Sequence, residues 1–507
     1  MRDRIDVAAA AARDTASDGT RVSELAARHQ ELRRSVGRRI EAVDSGPLPA
    51  EDRRALAHMR RTLGGDLAPV PLAAPPTAAA ERQPDCRYDP QAFPHADSLR
   101  ARVYACYAWA QHHVIVGSDT LDRLTVYGEL ARVEDRERRR RLFLALDPVW
   151  RSINADNLPA SPYRRLIALD AARGGELPAV REARLAGVPP DSLEPWLLAV
   201  LAAWRAAVPD SVIEPWDWYY LAGRPARELG SRVSRDRLVG LNVAVYRAVG
   251  ADIGALNVRY DLEPREGKTP VAFCTFGARP RFVGGRWTPG EPSVFATYRT
   301  GGLDNLAELL HETGHAIHIA AIRTRPAFTD WPDSDPFTEA VADFIALDVA
   351  EPAWQQRWLG DSVRLADGLR ARYGGIVLDV AWSLFELRML RDPSADPNEV
   401  WTRLTSEYLR IRPHPELSWW AMRGQLVDAP GYMMSYAIGA MLIAALRART
   451  VERHGPWIRG DPSWYPWVSR TLFRYGLERP TREVVEEFLG GPVTPAALLE
   501  DMGRMKR

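Results

Sequence analysis

Two histidines four residues apart in an apolar stretch constrain this chain more than any other feature. His311 and His315 would lie on one face of a helix, where both imidazole rings can bind a single metal ion. Glu312 follows the first histidine and can accept a proton from a water that the metal activates. Apolar residues recur around them at roughly helical spacing, namely Leu303, Leu306, Leu310, Ile317 and Ala321. The pattern predicts a buried helix over about residues 303–322 that carries a zinc site.

A second predicted helix, over about residues 336–350, supplies the remaining ligand. Pro336 suits a first helical position, and Asp335 or Ser334 can cap it. Glu339 and Asp343 are four residues apart and share a face of this helix. Glu339 is the predicted third ligand, which leaves the fourth zinc position open, and Asp343 would bind the outer ring nitrogen of a zinc-bound histidine. The alternative is that these are ordinary polar residues, the acidic pair on a solvated face and the histidines on a core helix.

Four segments carry a family resemblance. They are residues 311–318 (His-Glu-Thr-Gly-His-Ala-Ile-His), 215–220 (Pro-Trp-Asp-Trp-Tyr-Tyr), 267–274 (Gly-Lys-Thr-Pro-Val-Ala-Phe-Cys) and 431–436 (Gly-Tyr-Met-Met-Ser-Tyr). Together they resemble the thimet oligopeptidase and oligoendopeptidase F family of gluzincin metallopeptidases, from about residue 200 to the C-terminus. The second predicted helix is also similar to the angiotensin-converting enzyme family.

The resemblance implies a mainly α fold: a two-lobed helical ellipsoid with a deep channel and a small β-sheet beside the zinc helix. It also implies one Zn²⁺ per chain and a tyrosine that supports the oxyanion. Thimet-type members have a histidine where this chain has Val427, and a second substrate-facing tyrosine would fall at Gly439. Tyr436 is therefore the tyrosine predicted for the oxyanion, and Tyr432 is the competing candidate and a candidate substrate contact.

The predicted function is hydrolysis of peptide bonds in short unfolded oligopeptides, with Glu312 as the general base. A C-terminal exopeptidase is an alternative, and it would need a cationic clamp such as Arg423 or Arg412. A peptidase specific for one precursor would share every motif. An inactive peptide-binding relative is a further alternative, which the departures at Val427 and Gly439 favour.

Composition argues against several other classes of function. A formal net charge of +1 over 507 residues gives no drive toward nucleic acid or acidic membranes. No apolar run is long enough for a signal peptide or a membrane span. The cysteines, Cys86, Cys106 and Cys274, are few and widely spaced, which predicts a reducing compartment without a disulfide framework. We therefore expect a cytoplasmic protein with peptide partners, and the oligomeric state is left open.

The predicted organisation has three parts: a helical segment over residues 1–64, a Pro/Ala-rich linker over 65–85, and a helical body over 86–507 that carries the zinc site. Short strands are expected at 255–262, 271–276 and 293–298, just before the zinc helix. The further helices are expected at 97–113, 119–133, 134–149, 162–173, 192–207, 235–249, 353–373, 377–391, 398–411, 431–449, 481–489 and 494–505.

Overall fold

Helices dominate the chain, as the sequence predicts. The computed structural model describes residues 16–63, 83–89, 92–265, 268 and 271–506. Its α-helices are α1 (Ala16–Glu41), α2 (Ala50–Leu63), α3 (Ala96–Ala110), α4 (Arg123–Arg132), α5 (Arg136–Leu144), α6 (Asp147–Asn154), α7 (Pro162–Arg173), α8 (Pro178–Leu185), α9 (Leu193–Ala207), α10 (Trp218–Ala222), α11 (Arg224–Leu229), α12 (Leu238–Ala248), α13 (Leu303–Ala321), α14 (Asp335–Ala346), α15 (Pro352–Leu359), α16 (Leu365–Arg391), α17 (Pro397–Leu409), α18 (Gln425–Asp428), α19 (Met433–Arg453), α20 (Trp464–Thr471), α21 (Thr481–Leu489) and α22 (Ala496–Gly503).

The strands are short and lie mostly before α13. They are β1 (Val114–Val116), β2 (Asp119–Leu121), β3 (Arg259–Asp261), β4 (Phe273–Thr275), β5 (Arg281–Val283), β6 (Arg286–Thr288) and β7 (Ser293–Phe295). A three-stranded sheet has the order β3-β7-β4, in which β7 runs parallel to β3 and antiparallel to β4. Strand β4 pairs with β7, with Cys274 opposite Val294, and it is the last strand in this order. It therefore forms one edge of the described sheet. This is the small sheet expected beside the zinc helix.

The helices predicted to carry the metal ligands are α13 and α14. The first covers 303–321, against an expected 303–322, and the second ends at Ala346, where a 3₁₀ turn, Leu347–Ala350, continues the path. The two helices cross at Gly314, where an added Cβ would lie 2.2 Å from the carbonyl oxygen of Ala342. Glycine is therefore what allows the two backbones to touch at the crossing.

Helix α14 is also packed against α19, which in turn packs against the long helix α16. At Gly439 in α19 an added Cβ would lie 3.2 Å from the carbonyl oxygen of Pro336. At the position where the resemblance implies a second tyrosine, this chain therefore has a glycine in close contact with α14. Val427, at the position of the family histidine, is fully buried in the core.

Four expectations about the helices are wrong. The predicted helix 134–149 is two helices, α5 and the start of α6. Residues 119–121 pair with β1 in a hairpin instead of starting a helix, because the turn between Val116 and Asp119 brings two β-prone runs together. The predicted helix 353–373 is two helices, α15 and the start of α16, separated at Gly360, whose φ is +75°. Helix α16 then runs on through 377–391 without a break.

The prediction of no disulfide is also wrong. Cys86 and Cys106 form a disulfide, with a Cα–Cα distance of 5.7 Å, that ties the segment before α3 to the α3 helix. A spacing of 20 residues gives no sign of this contact, because it depends on how the chain folds back before α3. The cytoplasmic location stays a prediction, and the cysteine content no longer supports it. Within the described ranges, no helix is both long and apolar enough to cross a membrane.

The N-terminal helices lie against the segment that joins α13 to α14. Helix α1 packs on α2, and α2 contacts Pro326–Phe328. Arg325 forms ion pairs with Glu51, at 3.6 Å, and with Asp52. The division into 1–64, 65–85 and 86–507 stays a prediction, and most of the predicted linker, residues 65–82, lies outside the described residues.

Candidate metal centre

Helices α13 and α14 bring the three predicted ligands together. His311 and His315 lie one turn apart on α13, with perpendicular rings whose centroids are 4.8 Å apart. One donor atom each of His311, His315 and Glu339 lies within 4.8 Å of the other two. An ion with bonds of about 2.0–2.2 Å reaches three such atoms after small side-chain rotations. The cluster could therefore hold a metal ion.

The electrostatics of the cluster favour a cation at its centre. His311 Nε2 lies 3.5 Å from Glu339 Oε2. Although burial lowers the pKa of His311, Asp343 and Glu339 raise it well above its ordinary value. Burial alone would raise the pKa of Glu339, but the hydrogen bond from His311 lowers it to about 2. A proton on His311 thus stabilises the negative charge of Glu339, as a bound cation would.

Neighbouring residues fix the orientation of the ligands. His311 Nδ1 lies 2.7 Å from Asp343 Oδ1, so its other ring nitrogen is directed toward Glu339. The Tyr432 hydroxyl donates a hydrogen bond to Glu339 Oε1 at 3.1 Å. Burial lowers the pKa of His315 to about 4, which keeps its ring neutral and able to donate a lone pair.

Glu312 lies in the same cavity as the cluster. It is 7% exposed, and its Oε2 atom has no hydrogen-bond partner among the described residues. Burial raises the pKa of this carboxyl to about 7. A group with that pKa can both accept and release a proton near neutral pH.

The cavity around the cluster is large and open to solvent. Its volume is about 1530 Å³ including the open mouth, which is more than a drug-sized ligand needs. One wall contains Phe273 and Cys274 of β4, and another contains Tyr432 and Tyr436. The rings of these tyrosines meet edge to face at 5.5 Å. Tyr436 also lines the cavity, and its hydroxyl is hydrogen-bonded to Gln425.

The two arginines considered as a clamp have other partners. Arg423 forms an ion pair with Asp379, and its guanidinium carbon lies 5.9 Å from the centre of the Tyr436 ring. Arg412 binds Glu214 at 2.7 Å and does not line the cavity. The Pro-Trp-Asp segment is also outside the cavity. Its buried Asp217 binds Arg139 at 2.7 Å.

Sequence reasoning missed several cavity residues: Glu308, Trp331, Asp335, Asp379 and Gln425. Glu308 lies three residues before His311, and Asp335 lies four residues before Glu339, so helical spacing could have indicated both. The other three come from distant segments, and nothing in the local sequence connects them to the cluster.

The fold and the metal centre together define a mainly helical protein with a buried His-His-Glu cluster, and solved structures share its fold. A structure of oligoendopeptidase F covers 99% of this chain and 88% of its own, with a TM-score of 0.59 and 16% identity. The M32 carboxypeptidase from Deinococcus radiodurans R1 covers 97% and 92%, with a TM-score of 0.57 and 15% identity. Trypanosoma cruzi metallocarboxypeptidase 1 covers 100% and 96%, with a TM-score of 0.55 and 14% identity.

These likenesses extend over nearly the whole chain, and at this level of identity they establish the fold. No family model matches the sequence, and no curated protein matches it significantly.

Proposed function

We propose that the chain is a zinc peptidase that hydrolyses peptide bonds in short unfolded peptides. The observation that carries the proposal is one cavity that holds the His311, His315 and Glu339 cluster together with the unpartnered Oε2 atom of Glu312. Two imidazoles and a carboxylate are the donor set of catalytic zinc sites that keep a fourth position open. The fold, which solved oligoendopeptidase and metallocarboxypeptidase structures share, supports the same class.

In the proposed hydrolysis, each residue of the site has a distinct role. When bound, zinc would supply a Lewis acid for the carbonyl and would lower the pKa of water. Glu312 Oε2 is placed to accept the proton that the attacking water loses and to return it to the departing amine. Asp343 holds His311 through Nδ1, and Tyr432 holds Glu339. Tyr436 is left to donate its hydroxyl hydrogen to the oxygen that becomes negatively charged.

The β4 edge supports extended peptides as substrates. Phe273 and Cys274 of β4 line the cavity beside the cluster, and β4 pairs with β7 on one side in the described sheet. A peptide of about five to fifteen residues, at roughly 3.3 Å per residue, could lie along such an edge and pass the cluster. Main-chain pairing of this kind requires no particular side chains, which suits an enzyme that accepts many sequences.

Internal cleavage is the mode we favour, and removal of C-terminal residues is the second candidate. The similar metallocarboxypeptidase structures and the nearby Arg423 favour the second. Against it, Arg423 is already bound to Asp379, and the described lining of the cavity contains neither Lys nor Arg. Peptides with free and amidated C-termini separate the modes, since amidation should leave internal cleavage intact and block a carboxypeptidase.

Metal analysis combined with peptide hydrolysis tests the proposal. Protein purified without added metal should contain one zinc per chain, and His311→Ala should lose it. Glu312→Gln should keep the zinc and lose about 100- to 10,000-fold in kcat, because it removes only the base. His112→Ala, an exposed histidine outside the cavity, is the matched control. Equal zinc in His311→Ala and the parent, or nearly full activity in Glu312→Gln, would show the proposal to be wrong.

A further inference from the structure

The cavity contains more carboxylates than the metal centre uses. Six acidic side chains line it: Glu308, Glu312, Asp335, Glu339, Asp343 and Asp379. Its described lining has two histidines and no other basic residue. A cleft lined by one sign of charge concentrates the field there and attracts ligands of the opposite sign.

Four of these carboxylates already have a role or a partner. Glu339 and Asp343 are bound to His311 at 3.5 and 2.7 Å, and Glu312 is the proposed base. Asp379 is paired with the guanidinium of Arg423. Glu308 and Asp335 remain, and in the described part of the chain no Lys or Arg nitrogen lies within 4.0 Å of either carboxylate.

Among the described residues, neither Lys nor Arg acts on Glu308, and the positively charged group that does is His311. Glu308 lies on α13, one turn before His311, and the Tyr298 hydroxyl is beside it. Burial raises the pKa of the carboxyl, because the cavity wall removes water without supplying a positive charge. Glu308 nevertheless stays accessible from the cavity, so a ligand can reach it.

Asp335 occupies the equivalent place on α14, one turn before Glu339. Burial raises its pKa, and the carboxylates of Glu182 and Glu339 add to this effect. The nearest cation, Arg181, is bound to Glu182 at 3.0 Å. Asp335 is also accessible from the cavity.

We propose that Glu308 and Asp335 select peptides that carry a cationic group close to the bond that is cleaved. The inference rests on the proposed peptidase function and assigns its substrate class. At about 1.5 Å of rise per residue, Glu308 lies about 4.5 Å along the axis from His311, and Asp335 about 6 Å from Glu339. An extended peptide advances about 3.3 Å per residue, so cationic side chains within two residues of that bond can reach these carboxylates.

Two sources can provide the cation: the side chain of Arg or Lys, or the free amino group at the start of a short peptide. Both present N–H donors with a positive charge to a carboxylate, so the same residues recognise them. A C-terminal carboxylate has the opposite charge and is repelled by this cavity, which agrees with internal cleavage.

Matched nonapeptides test the selection on the zinc-loaded full chain. The peptides carry Arg, Gln or Glu at the two positions that flank the cleaved bond, and each is made with a free and an acetylated N-terminus. We expect kcat/KM to be about 10- to 100-fold higher for Arg than for Gln peptides, and lower still for Glu peptides. The preference should decrease between low and high NaCl, because salt screens exposed charges. Equal kcat/KM for the three series, together with no effect of acetylation, would overturn the proposal.

Variants connect the preference to the two residues. Glu308→Gln and Asp335→Asn should each reduce the ratio of kcat/KM for the Arg peptide to that for the Gln peptide about tenfold. Glu500→Gln removes an exposed carboxylate outside the cavity and should leave the ratio as it is. A ratio that neither cavity variant alters would refute the assignment. If acetylation lowers kcat/KM for all three series by the same factor, the N-terminal amine is the cation that these carboxylates recognise.

Peptide-binding measurements distinguish a failure of this inference from a failure of the proposed function. Fluorescence anisotropy of labelled peptides on zinc-loaded Glu312→Gln measures selection without turnover. Tighter binding of Arg peptides with no hydrolysis by the parent protein would sustain the selection and contradict the peptidase. Hydrolysis of every peptide with equal binding would sustain the peptidase and contradict the selection.

Discussion

A buried glutamate behind the tyrosines makes the stability of this protein depend on pH. Glu386 lies on α16, is 2% exposed, and accepts a hydrogen bond from the Gly431 N–H through Oε1 at 2.7 Å. Its Oε2 atom has no partner among the described residues. Burial raises the pKa of the carboxyl from 4.5 to about 8, so the folded chain holds this proton at neutral pH.

The sign of the effect follows from linkage. Because the folded pKa exceeds the unfolded one, the folded state keeps a proton that the unfolded state releases between about pH 4.5 and pH 8. The free energy of unfolding therefore decreases as pH rises through this range and changes no further above it. A shift of this size corresponds to at most about 5 kcal/mol.

The substitution Glu386→Gln should remove this dependence, because glutamine keeps an oxygen for the Gly431 N–H and carries no charge. The variant should therefore gain stability relative to the parent as pH rises, by several kcal/mol between pH 4.5 and pH 9. Chemical unfolding at pH 4.5, 7 and 9 in EDTA measures the difference, with Glu500→Gln as the exposed control. If the stability difference between Glu386→Gln and the parent is the same at all three pH values, the carboxyl is not protonated in the fold, and the reasoning fails.

Other predictions concern the metal centre. Tyr436→Phe should lower kcat about 100-fold with little change in KM, and an equal loss in Tyr432→Phe alone would move the oxyanion role to Tyr432. Asp343→Asn should weaken zinc binding about 10- to 100-fold in a chelator competition, and unchanged affinity would exclude its role in holding His311. Gly314→Ala should lower both Tm and zinc affinity, because the new methyl group forces α13 and α14 apart. Gly375→Ala, on α16 with open space around it, should lower neither Tm nor zinc affinity. Equal losses in the two variants would contradict this account of the crossing.

The candidate metal ligands were predictable from the sequence because local spacing determines which residues share a helix face. His311 and His315 depend only on helical periodicity, and Glu339 and Asp343 depend on the same rule in a second helix. Both helices were located to within a few residues for the same reason.

The rest of the cavity depends on contacts between distant segments. Asp379 and Trp331 reach it from different elements, and no periodicity connects them to α13. The pairing of Cys86 with Cys106 likewise depends on how the chain folds back before α3. The break at Gly360 needs a left-handed backbone conformation that helical patterning alone does not reveal.

The glycine contacts at Gly314 and Gly439 also decide how the molecule can move. Helices slide past one another by letting side chains between them change rotamers, and at these two crossings the nearest contact is with backbone. We therefore expect α13, α14 and α19, which carry the candidate ligands, Glu312 and Tyr436, to resist relative sliding. Because the cavity is open to solvent, we expect a peptide to enter without any shift of these helices. Any adjustment to its side chains would then fall to the other walls of the cavity, and the His311, His315 and Glu339 cluster would keep its geometry.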